Sequence, residues 1–418
     1  MSSAQADSAK HAAGPHWARS VGAAALWTLA QHGAFFACAW WVSWWAGAER
    51  FGAFGQGLAL SAMLSAAITF RLEYAGQLER RQRRAASLFS LAQRSAWLIC
   101  ALLLAALAVV HHQWVRVPLW LWASTLALAP QAATLVLASR CARGGDVVRA
   151  AALRSGPAII MVLILLPAWA VGWQEGIEWS IPLSAWMGWM VARLLSLANN
   201  PGGDDRRRVD ARRVAAFHLP FVRAELPGFL LNVSANHGQV LLIGAMGGDA
   251  AAGTAALALR IAMLPTSLFG LALADRLRSR VVAQGIGSGL TALLRQAVQR
   301  MMALSLGAHV IAALLVPLLL PLVFPQQGEV LVSMVMWLLP LGMVRLVASP
   351  LAFMLPWRGW LGLSLLGQCL LFACALLSVV LVFPISGLNG VAVAYAISAV
   401  GVYLGYIATA WAAARTDT

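Results

Sequence analysis

Three arginines stand where arginine is expensive. Arg71, Arg260 and Arg345 each lie inside a run of apolar residues, and Arg260 sits roughly 12 Å along its run at 1.5 Å per helical residue. A charge that deep among apolar side chains costs about 2.5 to more than 10 kcal/mol unless it meets a cavity or a partner. The guanidinium is a planar fork of N–H donors matched to phosphate, so these residues offer anion recognition and not bond making. Arg345 lies nearer the far end of its run. Arg71 stands two residues before Glu73, a spacing that suits a local ion pair or gate contact as well as a substrate contact. Arg94, Arg154 and Arg193 lie within about two turns of a run's end, where a long side chain reaches polar surroundings.

The remaining chemistry is sparse. His32 and His237 fall in the middle of apolar runs, as does His309, and each suits an interhelical hydrogen bond as well as proton handling. Glu73, Glu225 and Asp275 fall near the ends of runs, and none of the acids falls at mid-depth. Glu73, Asp275, His32 and His237 are therefore candidates for gating or coupling, and Arg260, Arg345 and Arg71 for a cationic binding cavity. The five cysteines form no CxxC and have no zinc-like histidine spacing, so they read as small packing residues. There is no GxxxxGK[ST] loop and no HExxH, so no catalytic residue, metal or cofactor is expected, and the chain does not read as an enzyme.

The elements that must hold these side chains follow from composition. Of 418 residues, 61% are apolar and 11% charged, with a net charge of +15, where a soluble domain has about a quarter of its residues charged. This is the composition of an all-α polytopic membrane protein. Twelve runs are long enough to cross about 30 Å of hydrocarbon: 20–46, 52–75, 87–110, 117–139, 147–173, 181–197, 219–246, 252–274, 291–324, 330–355, 360–383 and 388–414. Pro157, Pro265 and Pro340 are expected to kink their runs. Lys10 is the only lysine, and 22 of the 30 cations fall in the loops on one side or at the run ends beside them, against two, Arg50 and Arg116, on the other. By the positive-inside rule both termini are cytoplasmic. Cations interleaved among apolar runs leave no soluble basic face for nucleic acid. The first 19 residues lack the pattern of a cleaved secretory signal, so the first run reads as a retained anchor. The tryptophans at 40, 41, 44, 45, 114, 120, 122, 173 and 179 cluster near the non-cytoplasmic interface, where aromatic belts anchor to lipid.

The chain also repeats itself. Gln31-His32-Gly33 recurs as Asn236-His237-Gly238, Gly52 as Gly253, Leu72-Glu73 as Ala274-Asp275, and Gln93-Arg94 as Gln299-Arg300, at offsets of 201 to 206. This predicts two pseudo-symmetric six-helix lobes, 1–198 and 217–418, joined by a polar cytoplasmic linker at 199–216. Such lobes suit alternating access about a midplane site, here a cationic one with an anionic cargo.

The run Gly253-Thr-Ala-Ala-Leu-Ala-Leu-Arg260-Ile-Ala-Met-Leu-Pro265-Thr-Ser-Leu-Phe-Gly270, preceded by Gly-Gly-Asp, resembles the seventh-to-eighth-span region of polysaccharide flippases. These belong to the multidrug/oligosaccharidyl-lipid/polysaccharide, or MATE-like, superfamily. The turn Glu49-Arg50-Phe51-Gly52-Ala53-Phe54-Gly55 is similar to that family's turn after the first span. The resemblance implies translocation of a polyprenyl-pyrophosphate-linked oligosaccharide, such as an O-antigen or exopolysaccharide unit, across a bacterial inner membrane toward the periplasmic leaflet. It implies a lipid-linked anionic glycan and the bilayer as partners, with a polysaccharide polymerase as a further one, and it assigns the pyrophosphate to Arg260. Family members often have fourteen spans, and this chain shows twelve. A cation-coupled drug or metabolite exporter of the same fold is the alternative, and a membrane glycan polymerase or ligase a second.

Overall fold

The computed structural model describes residues 15–79, 81–144, 146–198, 211–284, 288–325 and 327–415, and all regular structure among them is helical. The first helix, α1 (Pro15–Ser65), is two helices joined at a corner on Gly47. A short α2 (Leu72–Leu78) follows, then α3 (Gln82–Gln113), α4 (Leu119–Arg143), α5 (Val147–Ala170) and α6 (Gly176–Ala198). The second half begins with α7 (Ala211–Val233), which runs through a π-helical turn (Ser234–Gly238) into α8 (Gln239–Ala262). It continues with α9 (Leu264–Gln284), α10 (Ser288–Val323), α11 (Gly328–Leu351) and a single turn, α12 (Met354–Trp357). Last come α13 (Leu361–Leu377), a second π turn (Ser378–Val382) and α14 (Phe383–Arg415).

Among the described residues seven helical stretches are long and apolar enough to cross a membrane. Two contain a corner, at Gly248 and at Gly387, so each supplies more than one straight segment. The stretch Leu361–Arg415, with 55 residues, would be about 80 Å long if straight, well over twice the hydrocarbon thickness. Large apolar side chains such as Leu322 and Ile385 stand on the outer surface at 78% and 84% exposure. That is the inverse of a soluble protein and the surface lipid requires. The chain is an all-α, multi-pass membrane protein.

The halves share one interior. Its largest cluster of buried side chains joins Cys38, Val42, Phe51 and Phe54 of α1 to Ile243 and Ala255 of α8 and to Tyr395 and Tyr403 of α14. The closest approach lies beside the corners. A methyl group on Gly52 would fall on the backbone carbonyl of Asp249, and one on Gly253 would come within 3.0 Å of the Gly52 Cα. Only glycine admits that approach. Gln56 then donates through Nε2 to the Asp249 Oδ1 at 2.5 Å, bonding α1 to α8.

The structure meets some expectations from the sequence and departs from others. Run 52–75 is not one helix, because the backbone unwinds over residues 66–71 with positive φ at Phe70 (55°) and Arg71 (59°). Pro157 and Pro340 sit inside unbroken α5 and α11, whereas the run 252–274 does break at Pro265, α8 ending at Ala262 and α9 starting at Leu264 with Pro265 as its second residue. Cys38 and Cys100 are buried packing residues, whereas Cys369 is exposed on the outer surface. Residues 199–210, the greater part of the expected linker, lie outside the described residues.

Candidate functional site

The two corners set the register of the site. Gly47 has φ 80° and ψ 178°, and Gly248 has φ 80° and ψ 174°, a conformation that residues with a Cβ essentially never adopt. Their offset is 201, the same as that of Gly52 and Gly253. Counting from the corners, Phe35 and Arg260 each lie about 18 Å down their helices, and the residue of the second half matching Phe35 is Asn236. His32 and His237, related by an offset of 205, therefore stand about one helical turn apart in depth and not at equivalent positions.

At that depth a cavity of about 520 Å³ opens between α1, α7, α8, α9, α11 and α14. Gln31, His32, Phe35 and Phe36 line it from α1, and Asn232, Asn236 and His237 from α7 and its π turn. Arg260, Ser267, Arg345 and Tyr395 complete its polar wall. The extra residue of a π turn rotates the side chains that follow it relative to a plain helix. Here that turn carries both Asn236 and His237. No Asp or Glu is among the lining residues.

The two cavity arginines are held in different ways. Arg345 donates through Nη1 to the Asn236 Oδ1 at 2.5 Å. Asn236 in turn donates to the backbone oxygen of Asn232 at 2.6 Å, and Asn232 donates to the Gln368 Oε1 at 2.7 Å. This amide chain ties α11, α7 and α13 together. Arg260 has no hydrogen bond or ion pair among the described residues, and its guanidinium lies over the Phe35 ring at 4.6 Å from the centroid. A cation–π contact supplies no oxygen acceptor, so the guanidinium N–H donors of Arg260 meet no protein oxygen among the described residues.

Arg71 and Glu73 are elsewhere. At the unwound segment the Arg71 Nη1 lies 3.3 Å from the Glu73 Oε1, and its guanidinium packs on Phe229 (4.3 Å) and Tyr74 (4.8 Å). Glu73 also accepts from the Thr69 hydroxyl at 2.5 Å. Neither lines the cavity. His309 is buried on α10 with Nδ1 2.8 Å from the Ser305 carbonyl, a packing position. The side chain of Asp275 lies outside the described residues.

At the end opposite the corners, in the loop after α2, Glu79 meets His218 of α7 at 3.2 Å. The backbone N–H of Arg81 holds the Glu79 carboxyl below the usual carboxylate range, assisted by His218 and by the charge of Arg84. Arg143 of α4 donates to the Gly76 and Glu79 carbonyls and pins the end of α2.

Sequence reasoning missed the amide chain, Phe35 and the corner glycines. Asn232 and Asn236, four residues apart in an apolar run, were the available signal, since unpaired amides are costly in a membrane. Gln368 carried the same signal singly.

No family model matches the chain, and no curated protein does. Among solved structures it is similar to a mutant of the Vibrio cholerae MATE transporter VcmN, at 13% identity and a TM-score of 0.61, covering 94% of this chain and 95% of that one. It is similar to the inward-facing conformation of a multidrug resistance MATE family transporter of the MOP superfamily, at 15% identity and a TM-score of 0.59, covering 94% of this chain and 100% of that one. The outward-facing conformation of a multidrug resistance MATE family transporter gives 14%, 0.59, 95% and 96%. The chain therefore has a MATE-like fold, and these three solved structures are of transporters.

Proposed function

We propose that the chain is an alternating-access transporter that carries a polyprenyl-pyrophosphate-linked oligosaccharide from the cytoplasmic to the periplasmic leaflet of a bacterial inner membrane. Arg260 supports this reading: it lines a 520 Å³ cavity whose described lining residues include no carboxylate to neutralise it. In this reading the chain crosses the membrane twelve times in two six-helix lobes, 1–198 and 217–418, with the Gly47 and Gly248 corners at the periplasmic end. Both termini and the 199–216 linker are then cytoplasmic. The amides of Gln31 and Asn232 and the rings of Phe35 and Phe36 are suited to glycosyl hydroxyls and sugar faces. A polysaccharide polymerase that uses the flipped unit is a further partner in this reading.

Export of drugs or metabolites in exchange for cations is the competing reading, in keeping with what the MATE structures are named for. A lipophilic cation would want a buried carboxylate, and the lining supplies arginine instead. The test is export of the lipid-linked glycan in cells carrying Arg260→Ala at normal abundance. Export is expected to fall at least tenfold, and export at the wild-type level overturns the proposal.

A further inference from the structure

We infer that the anion site is assembled across the two halves of the chain, with Phe35 of the first half as the positioning residue that presents Arg260 of the second. This rests on the reading of Arg260 as an anion-binding residue and adds the element that holds it. Phe35 and Arg260 stand at equal depth from the corners Gly47 and Gly248, and the Arg260 Cζ lies over the Phe35 ring, 4.6 Å from its centroid. A phosphate or pyrophosphate group binds through paired guanidinium N–H donors, and no protein oxygen among the described residues occupies those of Arg260. Without the ring, a long side chain with no hydrogen bond of its own samples many rotamers, and binding must order it.

The contrast with Arg345 sharpens the point. Asn236 is the counterpart of Phe35 at the 201 offset, and it holds Arg345 by an in-plane hydrogen bond inside the second half. Arg345 therefore keeps its support when the halves move relative to one another, while Arg260 keeps its support only while α1 lies against α8. Anion affinity at Arg260 is then tied to lobe position. A conformation that draws α1 away from α8 weakens the site at the moment the cargo must leave, which couples release to the rocking step.

The test uses the full chain in lipid nanodiscs, with farnesyl pyrophosphate and inorganic pyrophosphate as probes in separate titrations. Phe35→Leu is expected to weaken both probes about tenfold, while Phe35→Trp, which keeps an aromatic face, stays within about twofold of wild type. In an Arg260→Ala background Phe35→Leu is expected to add no further loss, because the two act as a unit. Unchanged binding in Phe35→Leu, or an equal loss with and without Arg260, overturns the inference. A loss confined to farnesyl pyrophosphate assigns Phe35 to the isoprenoid chain and overturns it as well. Wild-type affinity in Arg260→Ala alone overturns instead the underlying reading of Arg260, so the two failures are distinguishable.

Discussion

Asn236 accepts a hydrogen bond from Arg345 across 2.5 Å, and the two residues are 109 positions apart in the chain. The pair closes the row of amides that begins at Gln368, so one cavity arginine has its direction fixed by α7 while the other is left with its donors free. The arginines are thus unequal in what they can do, although both lie deep in apolar runs.

Asn236→Leu should therefore injure Arg345 specifically. The loss of a hydrogen bond to a buried charge is expected to cost about 2–3 kcal/mol of stability. Asn236→Leu combined with Arg345→Met should cost less than the sum of the two single changes, because the orphaned guanidinium is gone. Thermal unfolding of the four proteins in detergent measures the coupling, and simple additivity would remove the proposed pairing.

The corners give a second expectation. Gly47→Ala and Gly248→Ala each place a Cβ at φ 80°, which is expected to cost about 1–3 kcal/mol. Equal losses from two sites 201 residues apart would follow from their equal dihedrals. A negligible effect at either would mean that its corner relaxes without strain.

Gly52→Leu should open the corner end. Its side chain has no room beside the Asp249 carbonyl, so α1 and α8 must separate there. Cys38, at 1% exposure, lies nine residues before Gly47 in the shared core. Maleimide labelling of Cys38, followed by mass spectrometry, is expected to rise at least tenfold in the variant; protection equal to wild type would show that the halves part elsewhere.

The Glu79–His218 contact predicts a pH dependence at the other end. The Glu79 carboxyl is held below its ordinary range by the Arg81 N–H, His218 and Arg84, with Arg143 on its carbonyl. A depressed carboxyl contributes stability that is present above its unfolded pKa and lost as pH falls through the folded value. Glu79→Gln should therefore lower the melting temperature near neutral pH, and the gap to wild type should narrow below about pH 4. A gap that stays constant across the acid range would assign the effect to packing.

Much of the architecture was legible before any coordinate. The apolar runs mark helices because a membrane-spanning backbone must satisfy its hydrogen bonds within itself, and the 201 offset of Gly52 and Gly253 recurs in the dihedrals of Gly47 and Gly248. The unwound segment at 66–71 was not legible. Its residues, Ala-Ala-Ile-Thr-Phe-Arg, are ordinary in a helix, and the positive φ of Phe70 and Arg71 is held by packing and by the Arg71 contacts with Glu73 and Phe229.

The sequence by itself determined which side chains are expensive, because the cost of a buried charge depends on depth, and depth is counted along the chain. Arg260 and Arg345 stood out on that ground, and the cavity contains both. Arg71 stood out on the same ground, and the tertiary structure gave it Glu73 and two aromatic rings away from the cavity. Which arginine keeps its donors free, which is tied to an amide and which is neutralised depends on how helices some hundred or two hundred residues apart rotate and pack. Hydropathy along one chain records how deep a residue lies and is silent about what it faces.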